Sequence, residues 1–129
     1  MQQWSETLEI TTRGQGLYEF TPELGRFMAS SRIRDGLLTI YCRHTSCSLL
    51  VQENADPDVQ ADLKTFFSHT TEGPDDMPAH IKAALTQTSV CIPVNDGRPA
   101  LGTWQGLYLF EHRDAPHRRQ VVLHVLGEE

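Results

Sequence analysis

The sequence lacks the features that identify several large protein classes. It has 3 cysteines among 129 residues, and no pair has the spacing of a zinc ribbon or a redox CxxC motif. No apolar run approaches the roughly 20 residues needed to span a bilayer, and no signal peptide is visible, so we expect a cytoplasmic protein with no membrane partner. A P-loop, a dinucleotide-binding fingerprint and a nucleophile elbow are also absent.

Positive charge is scarce as well. The 11 Lys and Arg residues against 17 Asp and Glu residues give a formal charge of −6, which argues against nucleic acid as a partner. One basic segment, residues 112–119, runs against this trend. Its arginines, Arg118 among them, suit a phosphate or carboxylate, but a solvent-exposed turn between two strands is the simpler interpretation.

The pattern that is present is typical of one domain that contains both helices and strands and covers residues 1–129. Apolar runs predict strands, and Thr21, Asp56 and Asp76 are N-cap residues that open three predicted helices. The predicted order is β-β-α-β-β-α-α-β-β-β. Short turns join the strands, so the fold class is α+β with a largely antiparallel sheet.

The run from Gly36 to His44 predicts a central strand covered on both sides, because both of its faces are largely apolar. Cys42 and Cys91 lie in such apolar runs and are expected to be buried. Cys47 lies in a polar segment, where a structural role is the simpler interpretation than a reactive one.

Polar side chains concentrate directly after this strand. His44 is a candidate general base or metal ligand, and a core histidine bonded to the backbone is the alternative. The hydroxyls of Thr45 and Ser46 suit holding the ring or binding a ligand oxygen.

Three further residues lie near predicted helix starts. His80 falls in the first turn of the third helix, where the helix dipole favours a neutral ring; a surface histidine is the alternative. Asn54 has no capping role and is either a turn residue or a site residue. Asp76 is either a cap or a carboxylate that holds hydrated Mg²⁺ for a phosphorylated substrate.

Two glycines bracket Thr103, Trp104 and Gln105 between two strands. Trp104 suits stacking on a planar ring, and Gln105 suits reading the hydrogen-bonding edge of that ring. The alternative is that Trp104 packs into the core beside a tight turn.

Five motifs, taken in this order, resemble those of the YjbQ-like family, also called the secondary thiamine-phosphate synthase family. They are HTS at 44–46, ENADP at 53–57, DMPAHIK at 76–82, IPV at 92–94 and LGTWQG at 101–106. The resemblance implies a β-sandwich with flanking helices, a homotrimer, and a site at or near a subunit interface. Pro78 stands where some members of the family have a second histidine, so this helix lacks a two-histidine cluster.

The activity that the resemblance implies is a transferase reaction, in which hydroxymethylpyrimidine diphosphate is joined to thiazole phosphate and pyrophosphate leaves. The leading hypothesis is therefore an enzyme acting on a small phosphorylated metabolite, with Mg²⁺ or another divalent metal. The catalytic candidates are His44, His80 and Asn54, and the metal ligands are His44, His80 and Asp76. The substrate-binding candidates are Thr45, Ser46, Thr103, Trp104, Gln105 and Arg118.

The rival hypotheses are a trimer that binds a metabolite or metal without turnover, and a metal-dependent hydrolase. The leading hypothesis requires one spatial arrangement: His44 and His80 must converge with Asn54 and the Trp104 turn around a single hollow.

Overall fold

The structure, a computed structural model, describes residues 1–68 and 76–129; the side chains of residues 68 and 76–78 lie outside this description. The described ranges contain three helices, α1 (Thr21–Ser31), α2 (Pro57–Ser68) and α3 (Asp76–Leu85). They also contain eight strands: β1 (Gln2–Thr12), β2 (Gly16–Glu19), β3 (Asp35–Cys42), β4 (Cys47–Glu53), β5 (Ser89–Asn95), β6 (Arg98–Pro99), β7 (Gln105–Glu111) and β8 (His117–Glu128).

The strands form two sheets, and their neighbours pair antiparallel. The larger sheet has five strands in the order β1-β8-β3-β5-β6, and the smaller has three in the order β2-β7-β4. The predicted α+β class and antiparallel pairing are confirmed. The predicted order differs by one element, the two-residue strand β6.

The turn between β5 and β6 follows from its sequence. Asp96 and Gly97 have φ values of 53° and 78°, which is the left-handed pair that a two-residue hairpin requires. Asn and Asp tolerate this conformation and Gly adopts it without strain, so Asn95-Asp96-Gly97 predicts the hairpin that is found.

The predicted helix caps have different outcomes. Asp56 caps α2 as predicted, because its Oδ1 accepts the backbone N–H of Asp58 at 2.9 Å. The prediction for Thr21 is wrong: α1 begins at Thr21 itself, and its hydroxyl accepts the N–H of Leu107 at 2.9 Å. That bond ties α1 to β7. Asp76 is the first residue of α3 rather than the residue before it.

The main core lies between the inner faces of the two sheets, with α1 at one side. It contains buried residues from α1, β3, β4, β5, β7 and β8. The other face of the three-stranded sheet lies under α2 and α3, where Phe67 meets Phe110 at a ring-centroid distance of 5.3 Å. No helix in the described ranges is long and apolar enough to cross a membrane.

The outer face of the five-stranded sheet is open in the described chain. β3 is central, between β8 and β5, but Leu37 and Tyr41 on its outer face are 46% and 51% exposed, and Leu126 beside them on β8 is 42% exposed. The prediction that both faces of this strand are covered is therefore wrong for one chain. The same face exposes Cys91, which was expected to be buried.

Candidate functional site

The predicted site residues lie at two ends of the β4–β7 ladder. This ladder runs from the pair Cys47–Glu111 to the pair Glu53–Gln105. At about 3.3 Å per residue, its two ends are about 20 Å apart. We call the end formed by residues 44–47 and 111–112 the histidine end, and the end formed by residues 53–54 and 102–105 the tryptophan end. The expectation of one shared hollow is therefore wrong within a single chain.

At the histidine end, Thr45 and His80 come together. Both line an open hollow of about 440 Å³, together with Ala83, Ala84 and Thr88. Thr45 lies in the loop after β3, and His80 is an exposed residue of α3, which packs on β4. Two of the predicted residues thus converge although they are far apart in the sequence.

His44 precedes Thr45 in this loop but is not among the residues that line the hollow, and its ring has a defined partner. Its Nε2 accepts the backbone N–H of Gln120 at 2.8 Å, so Nδ1 carries the proton of the neutral ring. Partial burial, and then the nearby charge of Arg119, lower the pKa of His44. The remaining ring nitrogen is therefore a hydrogen-bond donor, and a ligand or base role for Nε2 would require loss of the bond to Gln120.

A buried ion pair lies beside His44. The Arg119 guanidinium donates two hydrogen bonds to the Glu111 carboxylate, one of them from Nε at 2.8 Å, and Glu111 is fully buried. Thr12 donates a third bond to Glu111 at 2.6 Å. Burial alone would raise the pKa of Glu111, but these bonds hold it below its ordinary value.

The same guanidinium holds the loop of the histidine end. Nη2 of Arg119 donates to the backbone oxygen and the hydroxyl of Ser46, at 3.2 and 3.0 Å. Ser46, which was predicted to contact substrate, is buried, and its hydroxyl is engaged in this network. Its substrate-binding role stays a prediction.

The interpretation of the basic segment as an exposed turn holds for residues 113–116 but not for the arginines at its end. β8 already begins at His117, and alternation along it places Arg119 inside the protein while Arg118, the predicted phosphate ligand, is exposed. The sequence held the signal, because Arg119 shares its parity with Val121, Leu123 and Val125, which are all buried.

A second buried polar group was not predicted. Nε2 of His112 shares a hydrogen bond of 2.8 Å with the Ser48 hydroxyl, and Thr86 donates to the same hydroxyl at 2.5 Å. His112 is 1% exposed, and its Nδ1 has no partner in the described part of the chain. Burial, with the charge of Lys82 second, lowers the pKa of His112 to about 3, so the ring is neutral.

Cys47 lies in a polar segment of the sequence, but the structure places it in the core. It is completely buried, and its Sγ lies 3.3 Å from Sγ of Cys42. The hydrogen bond from Cys47 lowers the pKa of Cys42 to about 7, and the same bond raises that of Cys47.

At the tryptophan end, Asn54, Thr103 and Gln105 line a hollow of about 580 Å³ that also contacts Arg98 and Leu101. The backbone N–H of Asn54 bonds the Trp104 oxygen at 3.0 Å, and Oε1 of Gln105 accepts the N–H of Gly102 at 2.8 Å. Trp104 is 63% exposed, which contradicts the interpretation that it packs into the core.

The sequence model of the family described as UPF0047 protein YjbQ-like matches residues 6–128. The chain belongs to this family. It is 50% identical to a UPF0047 protein of Synechocystis sp., over 98% of this chain and 93% of the relative. It is 38% identical to the UPF0047 protein YjbQ of Escherichia coli, over 97% of this chain and 99% of the relative.

Solved structures have the same YjbQ-like fold. A structural-genomics target from Clostridium acetobutylicum has a TM-score of 0.83 and 30% identity, over 94% of this chain and 99% of that one. A YbjQ-like protein of unknown function from Sulfolobus solfataricus has a TM-score of 0.84 and 19% identity, over 98% of this chain and all of that one, which shows the fold alone.

The fit of this YjbQ-like chain to a divalent metal is incomplete. In residues 1–68 and 76–129, no three His, Cys, Asp or Glu side chains are grouped as metal ligands. Nε2 of His44 is engaged with Gln120, and the Asp76 side chain lies outside the described residues. The residues that are described do not form a resident metal site, and we derive no chemical step through one.

Proposed function

We propose that this YjbQ-like chain is a cytoplasmic enzyme that acts on a small phosphorylated metabolite at the histidine end. The observation that carries this proposal is that Thr45 and His80 line one open hollow, with His44 adjacent in the loop. An imidazole and a hydroxyl in one cleft supply the donors that phosphoryl oxygens accept, and a positioned imidazole can transfer a proton. The three free thiols support a reducing compartment.

The family resemblance favours a thiamine-phosphate synthase reaction. In that reaction the thiazole nitrogen forms a bond to the methylene carbon of the pyrimidine. The carbon–oxygen bond to diphosphate breaks, and its electron pair leaves with pyrophosphate. His80 would donate to the leaving diphosphate, and Nδ1–H of His44 and the Thr45 hydroxyl would orient it. Mg²⁺ bound to the diphosphate itself, and contact with Arg118, stay predictions.

The test supplies the purified protein with both precursors and Mg²⁺ and measures thiamine phosphate and pyrophosphate. We expect His80→Gln to reduce the rate about 100-fold, which is a usual contribution of a general acid. Arg26→Gln is the control, because Arg26 lies on the exposed side of α1, away from the hollow and from the outer face of the large sheet. Full activity of His80→Gln would exclude this mechanism.

We also propose that the chain assembles as a homotrimer through the outer face of the five-stranded sheet. The exposed Leu37, Tyr41 and Leu126 on two central strands support it, because an apolar patch on a sheet face favours association. Light scattering should give three times the chain mass of 14.6 kDa. Tyr41→Glu should reduce this mass, and Ser30→Glu, on the exposed side of α1, should not.

A second candidate function is metabolite binding without turnover, at the tryptophan end. The hollow there has amide, hydroxyl and guanidinium groups but no His, Asp or Glu among its described lining residues, so it suits binding better than proton transfer. The chain has 2 tryptophans, so replacing one of them leaves the indole fluorescence of the other to be followed alone. Titration with the precursors should quench Trp104 in the Trp4→Phe variant, and this quench should be absent in Trp104→Phe. If metal analysis of freshly purified protein finds one transition-metal ion per chain, the metal-dependent hydrolase is favoured instead.

A further inference from the structure

Cys42 and Cys47 form a contact between the two sheets. Cys42 is the last residue of β3 in the large sheet, and Cys47 is the first residue of β4 in the small sheet. Their sulfurs lie 3.3 Å apart, and the two residues are 2% and 0% exposed. The four residues between them include His44, Thr45 and Ser46. The pair therefore closes the base of the loop that carries the histidine end.

We propose that Cys42 and Cys47 are a reversible redox site, at which a peroxide converts the two thiols into a disulfide across the base of this loop. This inference does not depend on the reaction proposed above. It concerns a covalent modification of the chain, and its test needs no substrate.

The chemistry balances with hydrogen peroxide as the oxidant. The thiolate of one cysteine attacks a peroxide oxygen, the O–O bond breaks, and a sulfenic acid and hydroxide form. The second sulfur then attacks the sulfenic sulfur, the S–O bond breaks, and the S–S bond forms. Two electrons leave the sulfurs and reduce one peroxide to two waters, which take up the two thiol protons. A dithiol reductant reverses the change by exchange.

The distance between the sulfurs favours the intramolecular step. A disulfide bond is about 2.05 Å long, so the two sulfurs need to approach by little more than 1 Å. They are already in direct contact, and Sγ of Cys42 also lies 3.6 Å from the Cys47 carbonyl oxygen. Once one sulfur is oxidised, the other is in position to resolve it before further oxidation.

Cys91 provides an internal comparison. It is exposed on the outer face of the large sheet, and its Sγ contacts the Thr39 hydroxyl at 3.8 Å. In a single chain, peroxide therefore reaches Cys91 more readily, whereas the trimer proposed above would cover it. In either state, no second cysteine of the same described chain stands beside it to form an internal disulfide. In a single chain, solvent access favours oxidation of Cys91. The proximity of a second sulfur favours a disulfide between Cys42 and Cys47.

The experiment uses the full chain, treated with hydrogen peroxide under native conditions, then denatured, alkylated and digested with trypsin without reduction. Cleavage after Arg34, Arg43 and Lys64 separates the two cysteines, so a disulfide joins peptide 35–43 to peptide 44–64. We expect this linked pair, about 2 Da lighter than the sum of the reduced peptides, and its loss on treatment with dithiothreitol.

The control variants are Cys42→Ser and Cys47→Ser, each with Cys91→Ser, which leave one thiol and cannot form the linked peptides. Cys91→Ser alone must still form them within one chain, as shown by a monomer band on a non-reducing gel. If Cys42 and Cys47 remain fully alkylated at a peroxide concentration that joins the same two peptides in the urea-unfolded chain, the inference is overturned. That comparison needs no variant and so does not depend on how a variant folds.

Discussion

The two ends of the β4–β7 ladder satisfy their polar groups in opposite ways. At the histidine end, the charged pair Glu111–Arg119 is buried, and its hydrogen bonds join β1, β7, β8 and the loop before β4. At the tryptophan end, exposed hydrogen bonds hold the turn at residues 102–105 and join it to Asn54, and the Trp104 ring is exposed to solvent. The first end is costly to disturb and the second is not.

This difference follows from desolvation. A buried charge without its partner keeps the cost of leaving water, whereas an exposed group regains water when a bond breaks. The exposed ion pair of Arg34 with Asp96 is a useful contrast, because its side chains are 61% and 77% exposed. Such a surface pair contributes little to stability. Stability should therefore depend on the histidine end.

The largest effect is expected for Arg119→Met, which leaves Glu111 buried and unpaired. We expect the free energy of unfolding to fall by about 3–5 kcal/mol, measured by urea titration. Arg118→Met is the matched control, since Arg118 is the exposed neighbour on the same strand and its loss should cost no more than about 0.5 kcal/mol. Equal losses of stability in Arg119→Met and Arg118→Met would mean that the buried ion pair does not make the histidine end more important for stability than an exposed site.

The next largest effect is a dependence of the free energy of unfolding on pH, and it is due to His112. Its pKa is about 3 in the folded chain, against an ordinary value of 6.5, so below 6.5 the unfolded chain binds a proton that the folded chain does not. The stability that this group contributes is fully present above about pH 6.5 and is lost as the pH falls toward 3. Between about pH 6.5 and pH 5, before most carboxylates protonate, we expect a loss of about 2 kcal/mol.

The variant His112→Leu should flatten this slope, although it costs about 1–3 kcal/mol at neutral pH by removing the partner of Ser48. His44 also has a lowered pKa and acts in the same direction, so a smaller slope should remain. An unchanged slope in His112→Leu would show that this ring is not the source.

The local structure could be predicted from the sequence to a large extent. The hairpin at Asp96-Gly97 and the cap at Asp56 rest on neighbouring residues, so local patterns are sufficient for them. Thr21 was mistaken because its hydroxyl bonds the distant Leu107 rather than its own helix. The open face of β3 could not be foreseen, because an apolar face does not reveal whether the same chain covers it.

Within one chain, the expectation of a single site fails because of distance along a strand. β4 is a strand of seven residues, and a strand of this length separates its ends by about 20 Å. Thr45 before β4 and Asn54 after it therefore cannot line one hollow in the same chain. Arg119 and His112 were missed because their burial depends on where β8 begins and on how α3 covers the sheet. Thr45 and His80 do line one hollow, whereas the predicted arrangement joined His44 and His80 with Asn54 and the Trp104 turn.

At the tryptophan end, Gln105→Met should have a moderate effect. It removes the side-chain oxygen that accepts the Gly102 N–H, while it keeps the length of the side chain. Because the turn is exposed, water replaces part of this bond, and we expect a loss of about 1 kcal/mol in urea titration. Gln105→Glu retains an acceptor at the same place and should lose less. A loss as large as that of Arg119→Met would remove the contrast between the two ends.

The smallest effect on stability is expected for Trp104→Ala. The ring is 63% exposed, so its removal returns little apolar surface to water, and the free energy of unfolding should change by no more than about 0.5 kcal/mol. An aromatic ring left exposed beside an open hollow suits stacking on a ligand, so binding of a planar precursor should weaken while the fold persists. Titration calorimetry with the precursor measures the loss of binding, and urea titration measures the loss of stability. Trp4→Ala is the control in both measurements, because the Trp4 ring lies on β1 and not at this hollow. A large loss of stability in Trp104→Ala would instead mean that the indole holds the turn together.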